Sequence, residues 1–260
     1  RVERSMAQRR LERRRMAQRN LNDRDTRPAG CPAISLILPA YNEAGRIERT
    51  LAALKAGMAA AGYAGAEIIV VDDGSDDHTQ QLASLQADRV IRHPRNRGKG
   101  VALETGWRAA GGSILLFLDA DLGDSARYAP ALLEPVLSGE ADMAIAVLPP
   151  PKARGGFGLV KRLAGAGIYW LSGHRTAAPL SGQRCMRREV LEAIGGLAGG
   201  FGIEVGLTID AARRGFRIVD VEVPFAHRET GRDLDGFRHR GKQLAQVAAA
   251  LASRWRSPAW

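Results

Sequence analysis

The chain has little sulfur, no long apolar run and few acids at its start. Of 260 residues only Cys31 and Cys185 are cysteine. They lack the paired spacing of a metal site, and two free thiols suit a reducing, cytoplasmic setting. No apolar run approaches the roughly 20 residues needed to cross a bilayer. The N-terminus carries charge without the apolar core of a signal peptide. Neither a membrane-spanning nor an exported protein is therefore expected, and the absence of internal repeats removes array architectures. Residues 1–29 hold ten Arg against only two Glu and two Asp, so they supply +6 of the net charge of +10. Met6, Leu11, Met16 and Leu21 form too thin an apolar stripe to pack, so residues 1–30 read as a solvated basic arm. Such an arm could touch nucleic acid or anionic lipid. It has no interleaved aromatics, and a bland extension is the better reading.

At 45% hydrophobic over its 260 residues, the chain can bury a full core as a single domain with appended ends. From residue 31 the rhythm is strand, turn, helix. Residues 34–38 read as a buried strand ending at Pro39. A helix follows from about Ala44, with Ile47, Leu51, Leu54 and Met58 on one face. Residues 67–71 form a second strand, and Ser75 or Asp76 can cap the helix after it. A short strand at Val90-Ile91, a helix opening at Gly98-Lys99-Gly100 and a strand over 114–118 come next. Later, 128–137 reads as helix and 143–147 as strand. Helices near 159–171 and 204–214 flank 181–194, a strand covers 218–223, and a helix over 238–260 closes the chain. This alternation predicts a doubly wound, mostly parallel α/β sheet.

Such sheets bind ligands at the C-terminal ends of their strands. Asp119-Ala120-Asp121 emerges there after residues 114–118. Two alternate carboxylates suit Mg²⁺ or Mn²⁺ shared with substrate phosphates; a polar turn is the plain alternative. Asp72-Asp73-Gly74-Ser75 ends the second strand, where a carboxylate can bond a nucleobase or a ribose. Capping explains only one of its two acids. Arg95-Asn96-Arg97-Gly98-Lys99-Gly100 sets three cations and two glycines at a helix start, which favours phosphate. Glu204 stands among apolar residues at another helix start, either compensating the helix dipole or contacting a hydroxyl. His227 follows the last strand, either structural or a further metal ligand. Pro149-Pro150-Pro151 and the glycines up to Gly158 have the composition of a hinged loop that could close over a bound ligand. Arg184, Arg187, Arg188 and Arg228 offer planar forks for phosphate or carboxylate, Arg184 and Arg228 being the better placed beside motifs.

Taken in order, Leu38-Pro39-Ala40-Tyr41-Asn42-Glu43, Val70-Val71-Asp72-Asp73-Gly74-Ser75, Gly98-Lys99-Gly100 and Asp119-Ala120-Asp121 resemble the family 2 glycosyltransferases. The resemblance implies a GT-A, Rossmann-like domain over 31–237 that is metal-dependent and moves a sugar from a nucleotide-diphosphate donor, UDP favoured over GDP. It implies that Asp72 contacts the nucleobase and that Pro39, Ala40, Tyr41, Glu43, Ser75, Lys99, Asp119 and Ala120 line the donor. It implies that Asp121 holds Mg²⁺ or Mn²⁺, with Asp119 near the ribose or the metal. Two branches are similar: polyprenyl-phosphate sugar synthases, which share Ser181-Gly182, and glucosyl-3-phosphoglycerate synthases, which are also similar at 201–207 and at His227-Arg228. In the second branch the matching His binds the metal and the matching Glu, here Glu204, lies near the reacting sugar. Asp73 and Gln183-Arg184 depart from that branch.

The expected catalytic group is Asp119, Asp121, Glu204 and Lys99. Ser181, Gly182, Arg184 and Arg228 are expected at an anionic acceptor, either a phosphoglycerate-like acid or a polyprenyl phosphate. Peripheral contact with the inner face of a membrane stays open, as does a homodimer; nucleic acid is disfavoured. A sugar nucleotidyltransferase would carry a Gly-rich, Arg-containing loop where Ala40-Tyr41-Asn42-Glu43 stands. A nucleic-acid-binding protein would rely on the separable arm.

Overall fold

A computed structural model describes residues 33–149, 158–197, 202–226 and 234–255; side chains are described for these except Leu159 and residues 234–243. His227, Arg228, most of the expected hinged loop and the basic arm lie outside the described residues.

Seven strands form one sheet: β1 (Ile34–Ala40), β2 (Glu67–Asp72), β3 (Arg89–Arg92), β4 (Ile114–Phe117), β5 (Met143–Val147), β6 (Arg184–Arg187) and β7 (Ile218–Glu222). Their order is β3-β2-β1-β4-β6-β5-β7. Every pairing is parallel except those made by β6, which runs antiparallel to β4 and β5. Strands β1 and β4 are buried on both faces, which is why they read as continuous apolar runs.

Helices cover both faces. On one lies α1 (Ile47–Ala60), whose buried Ile47, Leu51, Leu54 and Met58 are the face expected from the sequence, with Thr50 added to it. α2 (Thr79–Ser84) is on the same side. The expected cap from Ser75 or Asp76 is replaced: His78 is the cap position and supplies no side-chain bond. Asp77 instead accepts the Thr79 N–H at 2.9 Å and the Ala44 N–H at 3.1 Å. The helix expected over 128–137 divides into a 3-10 segment, Gly123–Leu132, and α4 (Glu134–Leu137). Pro130 and Pro135 each lack the N–H that a continuous α-helix needs.

The other face holds α3 (Lys99–Ala109), α6 (Arg188–Ile194) and α7 (Ile203–Arg213). Outside α7, α5 (Gly158–Ser172) and α8 (Leu234–Trp255) add a third layer through Val160, Ala164, Ile168, Val205, Ile209 and Val247. Among the described residues, no helix is long and apolar enough to cross a membrane.

Candidate active site

Strand β1 has β2 on one side and β4 on the other. The chain winds away in both directions, leaving a crevice at their C-terminal ends, the switch point where open α/β sheets take ligands. Ala40 pairs with Asp72 there, and the Asp73 N–H donates to the Ala40 carbonyl at 2.8 Å.

The loops after β1 and β2 are stitched together. Asn42, at φ 55°, occupies the left-handed region that asparagine tolerates. Its N–H donates to Ser75 Oγ at 2.9 Å, and its Oδ1 accepts the Asp76 N–H at 2.9 Å. The Glu43 N–H donates to Thr79 Oγ1 at 2.8 Å. Ser75 is therefore a loop anchor at the crevice, while Tyr41 stands 43% exposed beside it.

Asp72 is fully buried. Its Oδ1 accepts the Ser75 N–H at 3.0 Å, whereas Oδ2 has no hydrogen-bond partner among the described residues. Arg92 lies 3.5 Å from Oδ2 and donates to the Ser75 carbonyl at 2.9 Å. A buried acceptor at a strand end, charge-balanced but without a donor, is suited to a ligand N–H.

Asp73 has a different task. It accepts the backbone N–H groups of Arg97 (3.0 and 3.1 Å) and Gly98 (2.7 Å) and lies 2.6 Å from His93 Nδ1. It thus fastens the cationic loop before α3 to the end of β2. Gly74 is obligatory at this junction: φ is 76°, and a Cβ would lie 2.4 Å from the Arg95 backbone. Arg95 and Arg97 remain exposed at the N-terminus of α3.

Lys99, the first residue of α3, places Nζ 2.6 Å from Asp119 Oδ1 and 3.6 Å from Glu204 Oε1. Burial alone would lower its pKa, but the two carboxylates more than reverse this and hold it above its ordinary value. Gly182 lies against the same ammonium, where a Cβ would come within 2.3 Å of Nζ. Burial, then the Asp119 charge, raises the Asp121 pKa; Arg46, at 4.0 Å, works against them. Thr50, on α1, pins the turn carrying both acids. Its Oγ1 donates to the Ala120 carbonyl at 2.8 Å and accepts the Gly123 N–H at 2.9 Å.

Gln183, Arg46, Arg92 and Thr50 are site residues that the sequence motifs do not mark. Gln183 is 3% exposed and donates from Nε2 to Asp119 Oδ2 at 2.5 Å, while the Ser181 hydroxyl donates to its Oε1 at 3.2 Å. It joins the Ser181-Gly182 turn to the β4 acid.

Arg184, expected at the acceptor, is buried. It is 1% exposed, on β6, and donates to the Ser181 carbonyl and to Thr208 Oγ1, both at 2.8 Å. Thr208 in turn donates to the Glu204 carbonyl at 2.8 Å. The guanidinium therefore ties the Ser181-Gly182 turn to the first turn of α7, and its Nη2 has no partner. Burial lowers its pKa, with Glu204 and Asp220 opposing the shift.

Arg187 and Arg188 belong to the far end. Because β6 is antiparallel, Arg187 pairs with Ile114 at the start of β4. Arg188 donates to the carbonyls of Gly112 (2.7 Å) and Ala110 (2.6 Å), away from the crevice.

Among the described residues, no three His, Cys, Asp or Glu side chains converge as a closed metal cage. Asp119 and Asp121 nevertheless offer hard oxygens, which is sufficient where substrate phosphates complete the shell of Mg²⁺ or Mn²⁺.

The comparisons with known proteins agree with this architecture. Residues 35–195 match the sequence profile of Glycosyl transferase family 2. Glycosyltransferase AglD of Haloferax volcanii is 40% identical over 133 residues, 46% of this chain but only 21% of that protein's length. An undecaprenyl-phosphate mannosyltransferase of Micrococcus luteus is 29% identical over 84% of this chain and 94% of its own. The crystal structure of glucosyl-3-phosphoglycerate synthase from Mycobacterium tuberculosis with Mn²⁺, UDP and phosphoglyceric acid superposes with a TM-score of 0.73. It is 31% identical, over 88% of this chain and 80% of that one. With its strand-end acids at the switch point and the profile covering most of its sheet, this chain belongs to glycosyltransferase family 2 and has the GT-A fold.

Proposed function

We propose that the protein transfers a sugar from a nucleotide-diphosphate donor, UDP favoured over GDP, to an anionic acceptor with Mg²⁺ or Mn²⁺. The observation that carries this reading is Asp72 Oδ2, a buried acceptor without a donor at the end of β2. The imide N–H of uracil can satisfy it. The base then lies over the stitched Ala40–Glu43 and Asp72–Ser75 loops. The diphosphate runs toward Lys99 and the cations at the start of α3, where helix dipole and charge favour it. Asp121, with Asp119 beside it and His227 as a further candidate ligand, would hold the cation. Bound there, the cation would neutralise charge developing on the leaving diphosphate. Lys99 supplies fixed positive charge to the same oxygens, and Glu204 orients the ammonium.

The acceptor is assigned to the turn Ser181-Gly182, with Arg228 as its cation and buried Arg184 holding the turn in place. The likeness to a synthase crystallised with phosphoglyceric acid and to an undecaprenyl-phosphate mannosyltransferase supports a phosphate- or carboxylate-bearing acceptor. The test is sugar transfer from UDP- and GDP-sugars with Mn²⁺ or Mg²⁺ to 3-phosphoglycerate, a polyprenyl phosphate and a neutral sugar. EDTA and Asp121→Ala should each abolish transfer. Full turnover by the Asp121→Ala protein in chelator would overturn the metal assignment, and equal use of neutral sugars would overturn the anionic acceptor.

A further inference from the structure

From residue 143 to residue 188 the chain contains no Asp or Glu, yet holds eight Lys or Arg. This acid-free stretch includes α5, which buries Val160, Ala164 and Ile168 against α7 and α8. The solvent side of α5 also carries large apolar side chains. Leu163 is 39% exposed, Tyr169 44% and Trp170 78%. Lys161 and Arg162 are exposed beside Leu163 in the first turns, and Arg175, just past the last turn, lies with its guanidinium 4.3 Å over the Tyr169 ring.

A second exposed tryptophan stands at the same corner. Arg213, at the end of α7, donates to the Leu171 carbonyl at 2.7 Å and to the Arg254 carbonyl at 3.0 Å. It therefore ties together the C-terminal ends of α5 and α8, whose last turns carry Trp170 and Trp255, the latter 71% exposed. Asp210, the nearby acid on α7, is paired with Arg254 at 2.5 to 2.9 Å.

We propose that this corner and the exposed side of α5 that leads to it dock on an anionic lipid membrane. Amphipathic Trp and Tyr rings sit at headgroup level, and Lys and Arg around an apolar face add attraction to lipid phosphates. Charge complementarity selects this occupant. A symmetric second copy would set the same cations against themselves, with no acid on α5 to pair them. A nucleic acid would use the cations but leave the aliphatic Leu163 without a partner. Trp170, tied to the end of α7 through Leu171, lies about 13 Å from Glu204 at the helical rise. It serves as an anchor and does not bind the reacting group.

The test is co-sedimentation of the full chain with vesicles of phosphatidylcholine alone or mixed with phosphatidylglycerol, at low and raised salt. Binding is expected only to the anionic vesicles and should weaken with salt. Trp170→Ser, and Lys161→Glu combined with Arg162→Glu, should each lower it roughly tenfold or more. Their melting temperatures should match the parent, because all three side chains are exposed. No vesicle binding, equal binding to neutral vesicles, or undiminished binding by both variants would overturn the proposal. So would a dimer in sedimentation velocity that dissociates in Trp170→Ser, or RNA binding lost on charge reversal; these would assign the corner to a second copy or to nucleic acid.

Discussion

Replacing Gln183 by Glu should make the stability of the protein depend on pH in a way the parent does not. The amide nitrogen of Gln183 lies 2.5 Å from Asp119 Oδ2, in a position only 3% exposed. A carboxylate only accepts, so the glutamate variant must either hold two anions in contact or take up a proton. At about 3 Å and an effective dielectric of about 20, repulsion between unit charges is roughly 5 kcal/mol. Protonation is the cheaper course. A glutamate with an unfolded-state pKa of about 4.3 costs about 4 kcal/mol to protonate at pH 7.5 and about 1 kcal/mol at pH 5. Once protonated, the introduced carboxyl donates its O–H to Asp119 and restores the bond, so these values cap the penalty; Lys99, already on Asp119, reduces it further. The sign follows from the raised pKa of the folded state. The folded variant binds more protons than the unfolded chain between these pH values, so its stability falls as pH rises. Urea unfolding at several pH values should show the variant's deficit growing from about 1 kcal/mol at pH 5 toward, and never beyond, about 4 kcal/mol at pH 7.5. Gln183→Leu, which cannot titrate, should lose roughly 1.5 to 3 kcal/mol at every pH. A flat deficit in Gln183→Glu would refute the contact.

Asp72→Asn keeps an acceptor for the Ser75 N–H but removes the charge that faces the crevice. UDP binding with Mn²⁺, measured by calorimetry, should weaken by roughly ten- to a hundredfold, the worth of a charge-assisted bond. Thr50→Val leaves the Ala120 carbonyl and Gly123 N–H without their shared partner and should cost about 1 to 3 kcal/mol in denaturant unfolding. A neutral result would show that the turn holds without it. Cys185 is fully buried on β6 and its pKa is pushed far up by that burial. Alkylation of Cys185, followed by mass spectrometry of its peptide, should be far slower in the folded protein than in the urea-unfolded chain at the same pH.

The sheet and the acids at its strand ends were legible in the sequence because they rest on local signals. Strands β1, β2 and β4 are continuous apolar runs, α1 repeats its apolar residues at helical spacing, and acids at strand ends stand out against what precedes them. Tertiary structure alone decided the rest. Strand β6 is four residues long with arginine at both ends, so no periodicity announces it. Its antiparallel direction sends Arg184 to the crevice end and Arg187 to the other. Neighbouring arginines thereby acquire unrelated environments, and the role of Arg184 as holder of a turn depends on Thr208, 24 residues away. The division of labour between Asp72 and Asp73 is also invisible locally. Side chains alternate along an extended backbone, so one carboxylate faces the crevice while its neighbour clamps a loop 24 residues downstream. Sequence by itself determined which chemical groups reach the strand ends. Only packing between distant segments decided which of them remain available to a ligand, because a charged side chain takes whatever partner the fold brings within hydrogen-bonding distance.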